Sequence, residues 1–467
     1  MKKTLLLLFS LLFATGINAE NDYSKYYKNL PVEIPEVSPP VIPDNIISIV
    51  DFGGSGDGFT DNTEAFKKAM SALSNQGGGQ LNVPAGIYLT GLISFKDNID
   101  LHLEKNAIIV FSPDKKNMFK DKEDGTKEDK TSTWITASNR KNISITGEGV
   151  IDGNGEWWRP VKKVKVSSVE WKKFTELGGT LTEDGKIWYP YNIKHFDNVG
   201  LNKEEQEKFR THLIRFTGCE NVLVQGVTLM NSPKFHFIPT RCKNVIIDGI
   251  TVKCPWNAQN GDAIDLSSCQ NVLIVNNIVD AGDDGICMKA GVGEKGIAAG
   301  PVKNVIIEDN HVYNAHGGFV VGSEFSGGLE NIVVRNNTFT GTETGLRFKS
   351  AIKRGGTCKN VFISNIYMTD IQEEAIVFET TYWDNHVGAK KQAAPEKVEF
   401  APDFNDIHIE NVYVRGCKTG IKAQGAEGMI HDIYIKNSNI FYTDKDKDIA
   451  PTCELFLDNV NFKTFDR

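Results

Sequence analysis

Six residues in four short stretches of the chain have side chains suited to acid–base chemistry and to anion binding. They are Asp262, Asp283, Asp284, His316, Arg347 and Lys349. Three carboxylates brought within a few ångströms of one another cannot all ionise easily. One is therefore expected to hold a proton near neutral pH while the others stay charged. An acid and a base that face one cleft can cleave the linkage between two sugars.

The two cationic residues indicate the charge of the molecule that such a cleft would bind. Arg347 and Lys349 are two positions apart, so on a strand their side chains lie on the same side. A guanidinium fork and an ammonium group suit a carboxylate on the bound molecule. The whole chain has 52 Lys and Arg against 60 Asp and Glu, a formal net charge of -8. A basic pair in an acidic protein predicts an acidic polysaccharide or oligosaccharide as partner and argues against nucleic acid.

Each stretch taken alone has a simpler interpretation. GDDG (282–285) is typical of a turn, HGG (316–318) of a loop, and RFK (347–349) of a strand with one solvated face. The functional hypothesis depends on these stretches lying in register on neighbouring strands.

Three further residues are ambiguous. Asp265 could face the cleft or brace Asp262. Tyr382 and Trp383 could stack on a sugar, although the interpretation as ordinary loop aromatics is simpler.

A repeated strand unit runs through the chain. It begins with Asn-Val or Asn-Ile, alternates apolar with polar residues, and recurs 23 to 33 residues apart. Val222 and Val224 thus point to the same side, as do Val245 and Ile247. One unit cannot bury its apolar face alone, whereas stacked copies bury it continuously, as in a solenoid. The copies begin at Asn221, Asn244, Asn271, Asn304, Asn331 and Asn360, with weaker ones at Asn142, Asp406 and Asp432.

The length of the unit predicts an all-β fold, a right-handed, single-stranded parallel β-helix. The pieces are strand-sized, turns are frequent, and no helix intervenes at this period. The leucine signature of leucine-rich repeats is missing, and the units are too short for the four strands of a propeller blade. The recurring Asn is expected to form an internal ladder of amide hydrogen bonds. Rungs lie about 4.8 Å apart, so an overlay of the second strands places Asp262 beside Asp284 and His316 beside Asp283.

The start of the chain predicts export. Two lysines precede a short apolar run, and Ile17-Asn18-Ala19 resembles a cleavage site, so residues 1–19 are interpreted as a signal peptide. The run is too short to span a bilayer, and the next residue, Glu20, is not a lipid-accepting Cys, so no membrane anchor is expected. We expect a periplasmic or secreted protein, and a monomer.

The remaining chain is predicted to form an arm and one long domain. Residues 20–45 read as an extended arm, because their second half is rich in proline, and residues 46–467 as a single β-helix catalytic domain. A helix from the Thr60–Thr63 cluster to about Leu73 would cap the open end of the apolar column. The charged segment 115–130 is expected to be a solvated loop.

An aromatic-rich insertion near 153–211 interrupts the repeat. It could wall off one end of the cleft, or it could be a surface subdomain that packs on itself. Its aromatic residues are Trp157, Trp158, Trp171, Trp188, Tyr189 and Tyr191.

Eight cysteines in an exported protein could form disulfides. Four of them instead hold the same place in the repeat, two residues before an Asn-Val pair, which favours free thiols packed in the core. These four are Cys219, Cys242, Cys269 and Cys358.

Four motifs in a fixed order resemble those of glycoside hydrolase family 28, the polygalacturonases and their relatives. The motifs are NGDAID (260–265), GDDGI (282–286), HGGF with GSE (316–324) and RFK (347–349). The run LMNSPKFHF (229–237) and the Cys-x-Asn-Val strands are similar too, so the resemblance covers essentially the whole mature chain. It implies a pectin-lyase-like β-helix that hydrolyses α-1,4-linked galacturonate with inversion, without a metal or other cofactor.

The resemblance also implies a role for each site residue. Asp283 would be the general acid, and Asp262 and Asp284 would activate the attacking water. His316 would support the protonation of the acid, and Arg347 and Lys349 would bind the galacturonate carboxylate. Neighbouring strand residues face opposite sides, so Asp283 and Asp284 can share the cleft only if the backbone bends there. The flanking Gly282 and Gly285 permit such a bend.

Departures from the family pattern bear on specificity. The usual Asn-Thr-Asp-Gly reads Asn260-Gly261-Asp262-Ala263 here, so neighbouring substrate contacts could differ. GSEFSGG (322–328) and KRGG (353–356) resemble bacterial exo-acting members, and with the insertion they favour exo-cleavage. The alternatives are an endo-polygalacturonase, or a rhamnogalacturonan or xylogalacturonan hydrolase. A calcium-dependent pectate lyase and a non-catalytic polysaccharide-binding β-helix fit less well.

Overall fold

The computed structural model describes residues 22–121, 127–190, 203–382 and 399–464. The predicted signal peptide therefore lies outside the described residues, as do Tyr191 and Trp383. Within the described ranges the chain winds into a parallel β-helix, in which each turn contributes strands to three sheets. This architecture confirms the predicted fold class.

The three sheets run side by side along the helix axis. The first sheet is built from Ile46–Ser48, Gly79–Val83, Ile99–Leu103, Lys141–Gly147, Glu220–Gln225, Lys243–Asp248, Gln270–Val275, Val302–Glu308, Leu329–Thr340, Thr357–Thr369, Asp403–Phe404, Ile407–Gln424, Ile433–Ile449 and Leu455–Thr464. The second sheet contains Asp57–Asp61, Gly86–Thr90, Ala107–Phe111, Val150–Asp152, Thr228–Met230, Thr251–Lys253, Ile278–Asp280 and His311–Tyr313 and continues into the later parts of the long strands. The third sheet contains Ile93–Ser94, Ile135–Ser138, Ile214–Thr217, Phe237–Thr240, Ile264–Ser267, Ile286–Lys289, Gly317–Ser323, Thr344–Ser350 and Glu374–Glu379.

Inward-facing residues of the repeat form one continuous core. Val222, Val245 and Val272 lie directly opposite one another on successive turns, and each is almost completely buried. Val305 and Ile332 continue the same row. The alternation that the sequence predicts thus places one apolar side chain of each turn in a shared interior, where burial stabilises the stack.

Asparagines form a ladder along the first sheet. The side-chain Nδ2 of each residue donates to the Oδ1 of the one before it at 2.9–3.2 Å, from Asn142 to Asn360. The backbone φ of Asn221, Asn244 and Asn271 lies between 54° and 57°, the left-handed region that Asn tolerates better than most residues. The ladder is half-buried at the turn rather than internal as predicted. A shorter, fully buried ladder joins Asn277, Asn310 and Asn337.

The N-terminal arm covers a second apolar row on the outside of the first sheet. Leu223, Ile246 and Leu273 point outward between the core residues, yet they are buried because Tyr26 and Val37 of the arm pack on them. Within its described residues, 22–45, the arm contains a short 3₁₀-helix, Ser24–Tyr27, and no further helix or strand. Its contacts explain why the outward position of these strands is apolar rather than polar.

The predicted capping helix is present at Thr63–Asn75. It buries Phe66, Met70 and Leu73 against the first turns of the β-helix. Asp61, which precedes the helix, caps its start: its side chain accepts hydrogen bonds from the backbone N–H and the hydroxyl of Thr63. Further helices lie at Ser168–Glu176, Lys203–Phe209 and Gly293–Ala299, and further 3₁₀-helices at Ile49–Phe52, Lys115–Met118, Gly155–Trp157 and Lys163–Lys165. Within the described ranges, none of the helices has the length and apolarity that crossing a bilayer requires.

The prediction of a solvated loop at 115–130 is wrong in part. Met118 is fully buried, and the strands Phe119–Asp121 and Lys127–Thr131 pair as an antiparallel hairpin. The high charge of the segment predicts a solvated loop and gives no indication of the buried Met118 or of the strand pair.

The insertion has its own small antiparallel sheet of Val161–Lys162, Ile187–Tyr189 and Thr180–Leu181. Trp188 packs there on Val161 and Phe174. The insertion thus has a minor core, as the subdomain interpretation predicts, and it also contacts the cleft, as described below.

All eight cysteines are free thiols, and seven are buried, which confirms the prediction made for the four cysteines of the repeat. The thiols of Cys242 and Cys269 donate to the carbonyl oxygens of Phe216 and Pro239 on neighbouring turns at 3.4 and 3.2 Å.

The asparagine ladder predicts a measurable loss of stability when one rung is removed. Asn304→Ala removes the hydrogen bonds to Asn271 and from Asn331 and forces alanine to adopt a φ of 59°. We expect it to lower the free energy of unfolding by about 2–3 kcal/mol, measured by urea denaturation. Asn304→Gly keeps the backbone conformation at no steric cost and should lose less. Equal stability of wild type and Asn304→Ala would contradict a stabilising ladder.

Candidate active site

The third sheet holds the four stretches in register. Asp265 lies opposite Cys287, Cys287 opposite Val320, and Val320 opposite Arg347. Asp262, Asp283, Asp284 and His316 lie in the turns that precede these strands. There the N–H of His316 donates to the carbonyl oxygen of Asp283 at 2.8 Å. The predicted overlay is therefore confirmed, and the residues converge on one face.

Asp284 is held by cations. Its two carboxylate oxygens accept hydrogen bonds from the Lys349 ammonium at 2.7 and 3.1 Å, and the Arg347 Nη1 lies 4.0 Å away. Asp284 and Lys349 are both buried. Burial raises the pKa of Asp284, but the charges of Lys349 and Arg347 outweigh it and bring the pKa below its ordinary value. Asp284 is thus suited to act as a base.

Asp283 is paired with His316. The His316 Nδ1 lies 3.1 Å from Asp283 Oδ1, and the backbone N–H groups of Asn260 and Asp284 also donate to the Asp283 carboxylate. Burial raises the pKa of Asp283, whereas the hydrogen bond from His316, the charge of that ring when it is protonated, and the positive charges of Lys349 and Lys289 lower it, and the net direction is downward.

The bend that brings Asp283 and Asp284 to one side is a turn before the strand Ile286–Lys289. The flanking glycines are required there by close approach, not by a left-handed backbone. A Cβ on Gly282 would lie 2.5 Å from the carbonyl oxygen of Ala258, and a Cβ on Gly285 would lie 2.7 Å from Val312.

Asp262 is the carboxyl most suited to hold a proton in the substrate-free protein. It is 3% exposed, and among the described residues its Oδ1 has no hydrogen-bond partner. Burial, followed by the negative charge of Asp283, raises its pKa well above the ordinary value, and Lys289 opposes this only in part. The carboxyl groups thus differ in pKa, as expected, but the shifts place the proton on Asp262 rather than on Asp283.

Lys289 is a site residue that the sequence interpretation missed. Its ammonium lies 2.7 and 2.9 Å from the two oxygens of Asp265 and 3.3 Å from Asp262 Oδ2. Asp265 thus braces the site through Lys289. The signal was available, because Lys289 follows Cys287 by two positions and shares its side of the strand.

Three cationic residues of the insertion also reach the turns that form the cleft. Lys165 Nζ lies 2.7 Å from His316 Nε2. Arg210 donates to Asn260 Oδ1 at 2.8 Å, and Arg159 donates to the carbonyl oxygen of Ser232 at 2.7 Å. No sequence pattern predicts these contacts, because the insertion lies outside the repeat.

Tyr382 lies against the two predicted anion-binding residues rather than apart from the site. Its ring centroid is 5.2 Å from Lys349 Nζ and 5.7 Å from the Arg347 guanidinium carbon. Tyr382 thus lies in a loop, as the simpler interpretation predicts, and that loop adjoins the candidate site. Its ring faces the cations, a contact in which the aromatic face stabilises positive charge.

One cluster of two aspartates and a histidine has its potential ligand atoms close enough together to hold a metal ion. Among the described residues, ligand atoms of Asp283, Asp284 and His316 lie within 4.8 Å of one another. Both oxygens of Asp284 already bind the Lys349 ammonium, and His316 Nδ1 binds Asp283. Cationic and hydrogen-bonding side chains thus satisfy these groups within the chain, an arrangement that fits acid–base chemistry better than metal binding.

Comparison with known proteins places this site in a family. The sequence model of "Glycosyl hydrolases family 28" matches residues 74–454. An exo-poly-alpha-D-galacturonosidase of Dickeya chrysanthemi is 28% identical over 396 residues, which are 79% of this chain but 62% of that longer protein. A probable polygalacturonase of Vitis vinifera is 29% identical over 428 residues, 87% of this chain and 76% of that protein.

Solved structures agree. An exopolygalacturonase of Thermotoga maritima is 32% identical, with a TM-score of 0.74 over 91% of this chain and 94% of that one. A family 28 exopolygalacturonase of Yersinia enterocolitica, at 24% identity and a TM-score of 0.63, shares the fold. Because the family pattern spans most of the sequence and the fold agrees along the same length, the chain belongs to glycosyl hydrolases family 28.

Proposed function

We propose that this glycoside hydrolase cleaves α-1,4-galacturonosidic linkages of pectin with inversion, and that it acts from a chain end. The observation that carries the proposal is the meeting of three carboxyl groups with Arg347 and Lys349 on one face. Acidic groups alone would suit a neutral sugar, whereas the adjoining cations suit a uronate. The similarity to the Dickeya exo-poly-alpha-D-galacturonosidase and to the Thermotoga exopolygalacturonase supports the same substrate class.

In this proposal Asp283 is the general acid. It donates its proton to the glycosidic oxygen while Asp262 and Asp284 accept the proton of a water that attacks the anomeric carbon from the opposite face. The attacking oxygen forms the new bond to that carbon as the bond to the leaving sugar breaks, so the configuration inverts.

Substrate binding must first move the proton from Asp262 to Asp283. A galacturonate carboxylate bound by Arg347 would also lie near Lys349, and it would cancel part of the positive charge of Lys349 that lowers the pKa of Asp283. Loss of the proton from Asp262 then completes the ionised pair that activates water. The cations therefore serve both recognition and protonation.

Arg347 is the better placed of the two cations to bind the substrate. Lys349 is 5% exposed and its ammonium binds both oxygens of Asp284, whereas the contacts of Arg347 with Asp284 and with the His316 carbonyl oxygen are longer, at 4.0 and 3.4 Å. Lys349 supports recognition by fixing the base beside the substrate.

Exo-cleavage is supported by the insertion. Lys165, Arg159 and Arg210 fasten it to the turns that carry His316, Asn231 and Asn260, so it adjoins the cleft instead of packing only on itself. A polymer that cannot pass an obstructed end must enter by its own terminus.

Export is also part of the proposal. The basic start, short apolar run and Ala19 support cleavage of a signal peptide and a periplasmic or secreted enzyme. Amino-terminal sequencing of protein purified from the native host should begin at Glu20; a blocked or uncleaved start at Met1 would contradict this.

Product analysis tests the reaction. Digestion of oligogalacturonides of defined length should release monogalacturonate from the earliest time point, with and without a chelator, and no unsaturated, UV-absorbing ends. A ladder of intermediate sizes would indicate endo-cleavage. Activity that is lost to chelation, with UV-absorbing products, would indicate a lyase.

A pair of isosteric variants tests the proposed roles. Asp283→Asn and Asp262→Asn should each lower kcat on polygalacturonate by at least ~10². Their effects on stability at neutral pH should be opposite. Folding lowers the pKa of Asp283, so its charge stabilises the protein above the unfolded pKa, and Asp283→Asn should lower the Tm.

Folding raises the pKa of Asp262, so its ionisation costs stability, and Asp262→Asn should raise the Tm by roughly 1–4 °C at neutral pH. The shift for Asp262→Asn should shrink as the pH falls from the folded pKa of Asp262 and should vanish near pH 4, the unfolded value, whereas the shift for Asp283→Asn should shrink only below about pH 4. Calorimetry across this pH range measures them. Full activity of Asp283→Asn would refute the assignment of the general acid.

A further inference from the structure

Lys165 makes a contact with the proposed catalytic machinery that the reaction as described does not use. It lies in the insertion, in the short 3₁₀-helix Lys163–Lys165. Its ammonium nitrogen is 2.7 Å from His316 Nε2 and 3.3 Å from the carbonyl oxygen of Gly282. On the other side of the imidazole ring, His316 Nδ1 faces Asp283 at 3.1 Å.

The two ends of the imidazole restrict where protons can be. An ammonium group has only donors, so His316 Nε2 must accept from Lys165 if that lysine is charged. An imidazolium carries a proton on both nitrogens, and its Nε2–H would then point at a group with no lone pair. At this distance only one of the two groups can carry the positive charge.

Burial lowers the pKa of Lys165, and the negative charges of Asp283 and Glu343 oppose this only in part, so the net direction is downward. The carbonyl oxygen of Gly282 accepts a hydrogen bond from the ammonium and stabilises its charge. Ordinary ammonium and imidazolium groups differ by about four pKa units. Burial of a half-exposed lysine would have to overcome nearly all of that difference to transfer the proton to the ring.

We propose that Lys165 is a positioning residue that holds His316 neutral, with its single ring proton on Nδ1 and donated to Asp283. Two other groups face His316. Arg347 Nη1 donates to its backbone carbonyl oxygen at 3.4 Å, away from the ring. Glu343 Oε2, 3.6 Å from Nε2, favours a proton on that nitrogen, but the Lys165 ammonium is closer at 2.7 Å and opposes it.

The consequence for catalysis rests on the proposed function. A neutral ring places no positive charge in direct contact with Asp283, so Asp283 can take up the proton that a general acid needs. Without Lys165, Nε2 is free, and His316 can take a proton from water as the pH falls. The imidazolium would then lie between Asp283 and Glu343 and keep Asp283 ionised.

The position of the proton can be observed directly. Long-range ¹H–¹⁵N NMR of protein labelled with ¹⁵N-histidine distinguishes the imidazolium from each neutral tautomer, and His316→Gln assigns the signal. In the wild type at about pH 6.5 we expect the neutral Nδ1–H form. An imidazolium or an Nε2–H tautomer in the wild type at that pH would overturn the proposal.

Variants separate the role of Lys165 from general charge effects. Lys165→Met should let His316 become an imidazolium at a higher pH than in the wild type, and Lys165→Arg should restore the wild-type titration. Lys162→Met removes an exposed charge nearby, and its His316 signal should titrate as in the wild type. Identical titration of His316 in wild type and Lys165→Met would refute the role of Lys165.

Kinetics on polygalacturonate test the catalytic consequence. The ratio of kcat of Lys165→Met to that of the wild type should fall at least tenfold as the pH decreases through the titration of His316 in the variant. A ratio that is independent of pH would indicate a structural role and contradict the proposal. An inactive wild type would refute the proposed function, whereas the NMR result would still decide the protonation of His316.

Discussion

The spacing of parallel strands is the constraint on which this site depends. Neighbouring rungs lie about 4.8 Å apart, a distance at which charges on successive turns interact directly. Asp265, Asp284 and Lys349 come from different turns, and each is almost completely removed from water. Carboxylates stacked in this way would repel one another, so the cations are required for the fold as well as for the chemistry. The pairing of Lys349 with Asp284 and of Lys289 with Asp265 meets that requirement.

Periodicity carried most of what could be predicted from the sequence. The repeated Asn-Val strands define the turns, and the turns define which residues are neighbours, so the meeting of Asp284 with Arg347 follows from counting alone. The asparagine ladder and the buried thiols follow from the same repeat. The contacts that could not be predicted are those made by residues outside the repeat. The contact of Lys165 with His316 spans 151 residues and begins in an irregular insertion.

Other differences have equally physical causes. The outward residues Leu223 and Ile246 look like a departure from apolar–polar alternation until the arm is placed over them. The protonation of the carboxyl groups depends on burial, and Asp262 is more deeply enclosed than any pattern of residue types can indicate. A buried carboxyl that lacks a partner for one oxygen among the described residues costs stability, and here that cost lies at the residue that we propose to help activate water.

The arm has a consequence for how the chain reaches its native state. Tyr23 bonds to Asp248, and Lys28 to Arg335, across separations of 225 and 307 residues. The arm therefore cannot dock until most of the coils that form its binding surface have folded, since contacts between residues so far apart in sequence form late. Before the arm docks, the outer apolar row from Leu223 to Val333 is exposed to water and can bind other incompletely folded chains. Docking of the arm covers this row and so ends the period in which the folding chain is prone to aggregate.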